Sequence, residues 1–523
     1  MSRQVRNDLL TGLSFANLLL LGTWAELLTP RGQSGYFSHL SRGTYLAAML
    51  NTTLLGVGSA SVVTLARGAS HRAWLRLAKV AFLTLLIIPL ERIRGQLGLR
   101  LADVLGWSSP APYRLALLAV AIGVAYGLFR LRGHLTRVAS TAVLFASPFA
   151  AVMFVRATWA AATLLPATVT AVPEREDSSS KAAHAPRVIL LVFDELDQRL
   201  AFDDRPAGLA LPELDRLRTT AVYAPHASPS GPRTDISMPA LIISRPVAAV
   251  WPEGPSELGL VFPGTDSLVP WSQQPNVFAK VRELGANTGL IGWYHPYCRV
   301  LARDLNRCFW EPFYSVVARS AHESVPGNML QQLQSLWPWN SRSVYIEFYQ
   351  RMLDSAKAFS TDTTLGFVLL HLPVPHLPPI YDRKTQGFTQ HKYSYNGYLD
   401  NLVLMDRALG DIRKSLEGAG LWEQTTLVLT SDHAFREAQR IDGRLDGRVP
   451  FLVKVSGLSD SLTYAFAFNT FVVDDLVLSL IRRGVRTTSD VARLLDQLRG
   501  SSAVDSVRSL HPEHDPDGLK KDP

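Results

Sequence analysis

RVILLVFD, residues 187–194, decides the fold. A short, unbroken apolar run closed by an acid reads as a strand buried on both faces, as in a parallel sheet. Two later segments behave alike: LGFVLLH (365–371) ends in His, and TTLVLTSDH (425–433) ends in Asp-His. Between them, 396–418 carries apolar residues at helical spacing, and a second helix is predicted after 234. Strands alternating with helices predict an α/β domain with a mostly parallel central sheet. We place this domain at 188–500. A polar linker with Pro and Ser precedes it (171–187, AVPEREDSSSKAAHAPR), and a polar tail, predicted to be disordered, follows at 501–523.

Outward from that core, the chain changes character. It has 523 residues, with 47% apolar and 19% charged, which excludes a disordered or collagen-like chain. Two cysteines exclude a disulfide-dense scaffold and a multi-cysteine metal site. The net charge of +8 is unevenly spread: residues 1–170 hold 16 Lys+Arg against 4 Asp+Glu, and residues 171–523 hold 37 against 41. The basic excess sits in the apolar third, which fits cations flanking membrane spans better than a nucleic-acid groove. No nucleic-acid motif is present, and no nucleic-acid partner is predicted.

Residues 1–170 read as a transmembrane domain of about five helices, near 9–28, 44–66, 74–91, 112–130 and 138–165. The third is interrupted by Lys79. Glu26, Lys79 and Arg156 lie inside or near span ends, where such side chains reach for the interface. No cleavage site follows the first stretch, so it is not read as a signal peptide. The loops 67–76 (Arg67, Arg72, Arg76) and 130–137 (Arg130, Arg132, Arg137) are predicted to be cytoplasmic, although 92–111 also carries three arginines. That topology puts the later domain on the periplasmic or extracellular side of the cytoplasmic membrane. An oxidising compartment there would let Cys298 and Cys308 pair.

The chemistry concentrates at strand ends, outside which ligands bind in open α/β sheets. Asp194, His371 and Asp432–His433 are oxygen and imidazole donors of the kind that hold Zn²⁺, Mn²⁺ or Mg²⁺. A fourth piece, SPSGPRTDISMPALIISR (228–245), places Thr234 at a helix start. There it is either an ordinary N-cap or a hydroxyl where backbone N–H groups favour an anion. A metal-bound Thr at that point would be a nucleophile toward an anionic ester.

These residues in this order resemble a known group. Thr234-x-x-Ser237-x-Pro239 is similar to the nucleophile motif of membrane phosphoethanolamine transferases and lipoteichoic acid synthases, within the alkaline phosphatase and sulfatase superfamily. The strand ending in Asp194, Ser431-Asp432-His433, and His371-Leu-Pro-Val-Pro-His376 resemble its metal-ligand and substrate-binding segments. The resemblance implies an alkaline phosphatase-like, sulfatase-like catalytic domain. In it Asp194, Thr234, Asp432 and His433 hold one divalent metal ion, zinc or manganese, with Glu195 the alternative to Asp194. It implies a covalent intermediate on Thr234 and a substrate-binding role for His376, with His371 second. The donor would be a lipid or phospholipid, and the acceptor an envelope glycan or lipid.

Two departures stand out. Ser230-Gly231-Pro232-Arg233 lacks the spacer that formylglycine sulfatases have before Arg. The stretch 446–451 lacks a His found in the membrane transferases, so Arg448 or Arg436 becomes the candidate anion binder. Three activities stay open on sequence: head-group transfer, hydrolysis of a phosphate or sulfate ester to water, and a catalytically dead partner in envelope assembly. The aromatic group Trp293, Tyr294, Trp310, Phe313 and Tyr314 reads as local core, and Tyr393, Tyr395 and Tyr398 as a cluster of a common kind in a loop leading to a helix, where it could line the site. His226 and His295 receive no role.

Overall fold

A computed structural model of the chain describes residues 2–28, 36–37, 40–68, 72–96, 133–164, 186–312, 324–336, 340–389 and 395–499. The span predicted at 112–130, most of the linker and the tail fall outside them, as do Phe313, Tyr314 and Tyr393.

Nine strands make one sheet: β1 (Arg187–Phe193), β2 (Val222–Ser228), β3 (Thr288–Trp293), β4 (Arg307–Glu311), β5 (Phe367–Leu372), β6 (Thr425–Ser431), β7 (Val449–Lys454), β8 (Leu462–Thr463) and β9 (Phe468–Asn469). Their order is β8-β2-β7-β6-β1-β5-β3-β4, with β9 also on β2. Only β7 runs against its neighbours, so the sheet is mixed but mostly parallel. The three apolar runs that the sequence singles out are the adjacent strands β6, β1 and β5 at its centre.

Period two along β1 sorts its side chains between two layers. Val188, Leu190 and Val192 face the helices Thr234–Ile243, Val277–Glu283 and Val473–Ile481. Ile189, Leu191 and Phe193 face Asn340–Thr361 and Gly397–Gly418. Burial on both sides explains why β1 is continuously apolar rather than alternating. The strand's first residue does separate work. The buried Arg187 guanidinium donates to the Phe359 carbonyl (3.2 Å), the Leu365 carbonyl (3.3 Å) and the Asp362 and Ser360 carbonyls. It thereby caps the C-terminal end of the Asn340–Thr361 helix, where carbonyls lack helical partners.

Among the described residues, three helices are long and apolar enough to cross a membrane: Arg42–Arg67, Ala73–Glu91 and Gly133–Thr163. A fourth candidate is Arg3–Leu19 with Leu21–Leu28, bent by 66° at the break, where the sequence suggested one straight span. Small residues let two of these helices touch. A Cβ on Gly12 would lie 2.3 Å from the Gly56 carbonyl oxygen, so the Arg3–Leu19 and Arg42–Arg67 backbones are in direct contact. The ends near 28, 42 and 163 lie together: Tyr45 Oη donates to the Leu27 carbonyl (3.3 Å), and Arg156 to the Leu28 carbonyl (3.4 Å). Arg67 pairs with Asp8 at the other end.

The helix Val325–Gln334, between β4 and β5 in the chain, packs on the same end. Asn51 Nδ2 donates to Gln332 Oε1 (3.1 Å) and to the Met329 carbonyl (3.0 Å), and Gln332 Nε2 donates to the Thr44 carbonyl (2.9 Å).

Arg187→Met keeps the apolar stem and removes the guanidinium donor from four carbonyls, of which Phe359 and Asp362 keep a backbone N–H from Asp362 and Leu365. It should cost about 3 kcal/mol, lowering the detergent-solubilised protein's Tm by roughly 5–10 °C, with metal content unchanged. A Tm within a degree of wild type would rule out the capping role.

Candidate active site

The register of the central strands builds the site. Val192 pairs with His371 on one side, and Phe193 with Ser431 on the other. Asp194 and Asp432 therefore leave adjacent parallel strands at the same level. Asp194 continues the even-numbered row of β1 and points to the layer that holds the Thr234–Ile243 helix. Ser431 ties the two strand ends together: its hydroxyl accepts from the Leu196 N–H (2.8 Å) and lies 2.7 Å from the Phe193 carbonyl oxygen.

Thr234 arrives from β2 through Pro229–Arg233. A Cβ on Gly231 would sit 2.9 Å from both Ser237 N and Ser237 Cα, so this loop folds tightly against the first helical turn. Thr234 Oγ1 lies 2.8 Å from Asp432 Oδ2, 3.2 Å from Asp194 Oδ2 and 3.2 Å from His433 Nε2. Ser230, by contrast, donates its hydroxyl to the Ser237 carbonyl (2.8 Å). It is held away from the cluster, so Thr234 is the hydroxyl presented.

Asp194, Asp432 and His433 are buried, and each offers a ligand atom within 4.8 Å of the others. The donor set fits a divalent cation. Asp194 Oδ1 is buried with no hydrogen-bond partner. His433 Nδ1 sits 2.9 Å from the Ala434 carbonyl oxygen and so carries its proton there, leaving the Nε2 lone pair toward the cluster. Burial pushes the His433 pKa down to about 3, so the ring is neutral and able to ligate. Burial and the neighbouring Asp432 charge hold the Asp194 carboxyl well above the carboxylate range. Burial likewise raises Asp432.

The chain turns sharply after β1. Glu195 adopts a left-handed backbone (φ 63°), and so does Tyr294 (φ 73°) after β3. Non-glycine residues in that region concentrate at functional sites. The Glu195 N–H donates to Asp432 Oδ1 (3.1 Å), and its carboxylate meets Arg436 Nε (3.4 Å). Between the two candidates left open on sequence, Asp194 is the one in the three-residue cluster.

The remaining candidates fall in different places. His376 is half-buried at the rim. Burial opposes its protonation, but the Glu195 and Asp194 charges outweigh that and raise its pKa. His371, read from sequence as the second choice for substrate binding, is fully buried with its Nε2 3.7 Å from Asp194 Oδ2. Trp293 Nε1 donates to its Nε2 (3.2 Å), and its Nδ1 faces Tyr297 Oη (3.0 Å), so both ring nitrogens are taken. Arg448 is not brought to the cluster. Its guanidinium is held by Asp446, by Asp203 (2.9 Å) and by the Pro225 carbonyl (3.0 Å), which offset its charge. Cys298 and Cys308 form a disulfide.

Three residues that matter here have no readable spacing signal. His295 Nε2 contacts the Thr234 carbonyl oxygen (3.1 Å). Tyr398 Oη donates to the Glu195 carbonyl (2.7 Å) and accepts from the Asp197 N–H (3.1 Å), fixing the turn after β1. Trp293, read as core, is core that also orients His371. The left-handed residues beside them are invisible until the backbone is folded.

The family profile described as Sulfatase matches residues 186–473. The chain belongs to the sulfatase family. This places it among sulfatase-like members of the alkaline phosphatase superfamily, which are metal-dependent. Similar solved structures include a sulfatase from Pseudoalteromonas sp., 15% identical over 58% of this chain and 68% of that one with a TM-score of 0.39. Another is the phosphonate monoester hydrolase of Agrobacterium radiobacter, 11% identical over 57% and 74% with a TM-score of 0.36. A third is an alkaline phosphatase superfamily protein from Vibrio parahaemolyticus, 14% identical over 59% and 68% with a TM-score of 0.37. No curated protein matches the chain.

The raised Asp194 and Asp432 values set a sign. Without metal, the folded protein holds protons there that the unfolded chain releases above about pH 4. Stability is therefore lost as pH rises from the unfolded pKa toward the folded one. Chelation should lower Tm by several degrees at pH 7.5 and by much less at pH 5. Asp432→Asn should raise the Tm of metal-free protein while abolishing the gain on adding metal, which reaches about 2.7 kcal/mol at hundredfold excess over Kd. Asp432→Asn that lowers metal-free Tm and keeps the metal response would contradict the assignment.

Proposed function

We propose that this sulfatase-family protein is a membrane-anchored, metal-dependent phosphotransferase. It moves a phosphate-linked head group from a lipid donor, through an ester on Thr234, to a cell-envelope glycan or lipid. The observation that carries this reading is a single hydroxyl, Thr234 Oγ1, held within 3.2 Å of two carboxylates and an imidazole at a helix N-terminus. Asp194, Asp432, His433 and Thr234 would hold the ion, zinc or manganese, and it would supply Lewis-acid stabilisation of the nucleophile and of developing charge.

The protein's own residues account for the rest. The first turn of the Thr234–Ile243 helix directs backbone N–H groups at an anionic ester. Thr234 Oγ1 bonds to phosphorus as the bond from phosphorus to the donor oxygen breaks, and Asp432 Oδ2 is the nearest acceptor for its proton. His376, kept protonated by neighbouring carboxylates, gives a proton to the leaving oxygen. An acceptor hydroxyl then reverses the exchange, forming its own bond to phosphorus and releasing Thr234. Arg436, beside Glu195 with its side chain 43% exposed, is placed to meet the anion.

A lipid donor is supported by the docking of Val325–Gln334 on the Arg42–Arg67 helix, which sets the catalytic sheet at one end of the apolar helices. The ends near 28, 42 and 163 share that side, away from Arg67, as an external catalytic domain with a basic cytoplasmic face requires. A second reading, hydrolysis with water as acceptor, uses the same Thr234 ester and is favoured by the family's hydrolases.

Thr234→Ala, Asp432→Ala and His433→Ala should each lower turnover by about 10³-fold or more, because the cluster acts as a unit. Release of diacylglycerol from phospholipid vesicles, together with a phosphate-linked adduct on the Thr234 peptide by mass spectrometry, supports transfer. Turnover of a simple phosphodiester in detergent with no acceptor supports hydrolysis instead. Near-normal turnover by Thr234→Ala would sink both readings.

A further inference from the structure

We infer that Tyr36, from the segment between the first membrane helix pair and the Arg42–Arg67 helix, is a positioning residue for Thr234. The inference rests on the reading of Thr234 as nucleophile. Tyr36 belongs to the apolar third of the chain, yet its side chain is fully buried and packs into the catalytic core. Its Oη lies 2.9 Å from His295 Nδ1, and His295 Nε2 lies 3.1 Å from the Thr234 carbonyl oxygen.

The direction of this chain of bonds follows from its last member. A carbonyl oxygen only accepts, so His295 Nε2 carries the proton, Nδ1 accepts, and the Tyr36 phenol donates. The burial that pushes the His295 pKa down to about 4 agrees with a neutral ring. The target is the first turn of the nucleophile's helix, which Pro239 weakens: with no N–H, it cannot bond the Asp235 carbonyl one turn back. The His295 ring stands beside the Thr234 and Asp235 carbonyls and supplies the donor there.

Tyr36 is itself held on its other sides. Arg299 donates to its carbonyl, and its ring meets Phe37 edge-on at 4.9 Å. Trp271 closes on His295 at 5.2 Å. All the polar members are buried, so removing one leaves the next unpaired and free to turn. The membrane-side segment thus completes the support under the catalytic hydroxyl.

The test uses full-length protein in detergent with a chromogenic phosphodiester. Tyr36→Phe, which removes one oxygen, should lower kcat about tenfold with KM and metal content unchanged, because a small misplacement of a nucleophile costs rate rather than binding. In a His295→Phe background, Tyr36→Phe should have no further effect. Phe37→Leu trims the same insertion without touching the bond chain and should keep wild-type kcat. Wild-type kcat in Tyr36→Phe, additive losses in the double variant, or an equal loss in Phe37→Leu would each overturn the inference. Thr234→Ala is run alongside to separate the two failures: where one of those overturning results is found and Thr234→Ala is inactive, only the Tyr36 inference falls, whereas an active Thr234→Ala sinks the site reading as well.

Discussion

Two carboxylates, Asp194 and Asp432, are buried side by side at the ends of adjacent parallel strands, and the rest of the site exists to make that tolerable and useful. Like charges removed from water raise each other's pKa, and a folded protein keeps such a pair only where a cation or protons compensate. Here the compensation is built in layers. Asp432 Oδ1 accepts two backbone N–H groups, from Glu195 and His433. His433 brings a neutral nitrogen rather than a further charge. Asp194 Oδ1 stays without a partner. That unpaired oxygen, beside the neutral His433 nitrogen and the Thr234 hydroxyl, leaves the cluster with lone pairs a cation can take.

Parallel pairing is what makes the constellation possible. In β6, β1 and β5 all three strands finish at one edge, so residues 194, 371 and 432 meet although they are distant in sequence. Thr234 then reaches that edge from β2, on the far side of the antiparallel strand β7. The chain accepts left-handed backbone at Glu195 and Tyr294 to turn away from the sheet beside the site. Tyr398, bonded to the turn after β1 and stacked on Phe435 at 3.9 Å, holds one of those turns in place.

This explains what could be read from the residues alone. The three central strands were legible because burial on both faces leaves an unbroken apolar run. The Asp194, Thr234, Asp432 and His433 set was legible because ligand-type side chains end those runs in a specific order. His371 was legible as a strand end for the same reason, but its neighbours Trp293 and Tyr297, which meet its two nitrogens, were not, because that depends on β3 lying beside β5. Arg448 misled because its partners Asp203 and Asp446 come partly from another strand connection. The bend at residue 20 lies inside a uniformly apolar stretch, where hydropathy is the same for a straight helix and a broken one. His295 and Tyr36 carry no local pattern, since a bond between residues 259 positions apart leaves no spacing signal.

The apolar third does more in this architecture than a flexible tether could. A tether would need only the linker before β1, and the catalytic sheet could sit at any angle to the helices. Instead the Arg42–Arg67 helix binds Val325–Gln334 through Thr44 and Asn51, and the segment just before it inserts Tyr36 beneath Thr234. One contact comes from the start of that helix and the other from just before it, so together they fix the sheet's orientation to the apolar helices as well as its distance. For an enzyme whose donor is a lipid, that geometry matters. The head group can move only in the plane of the membrane, and the nucleophile has to be held at the depth where the phosphate travels.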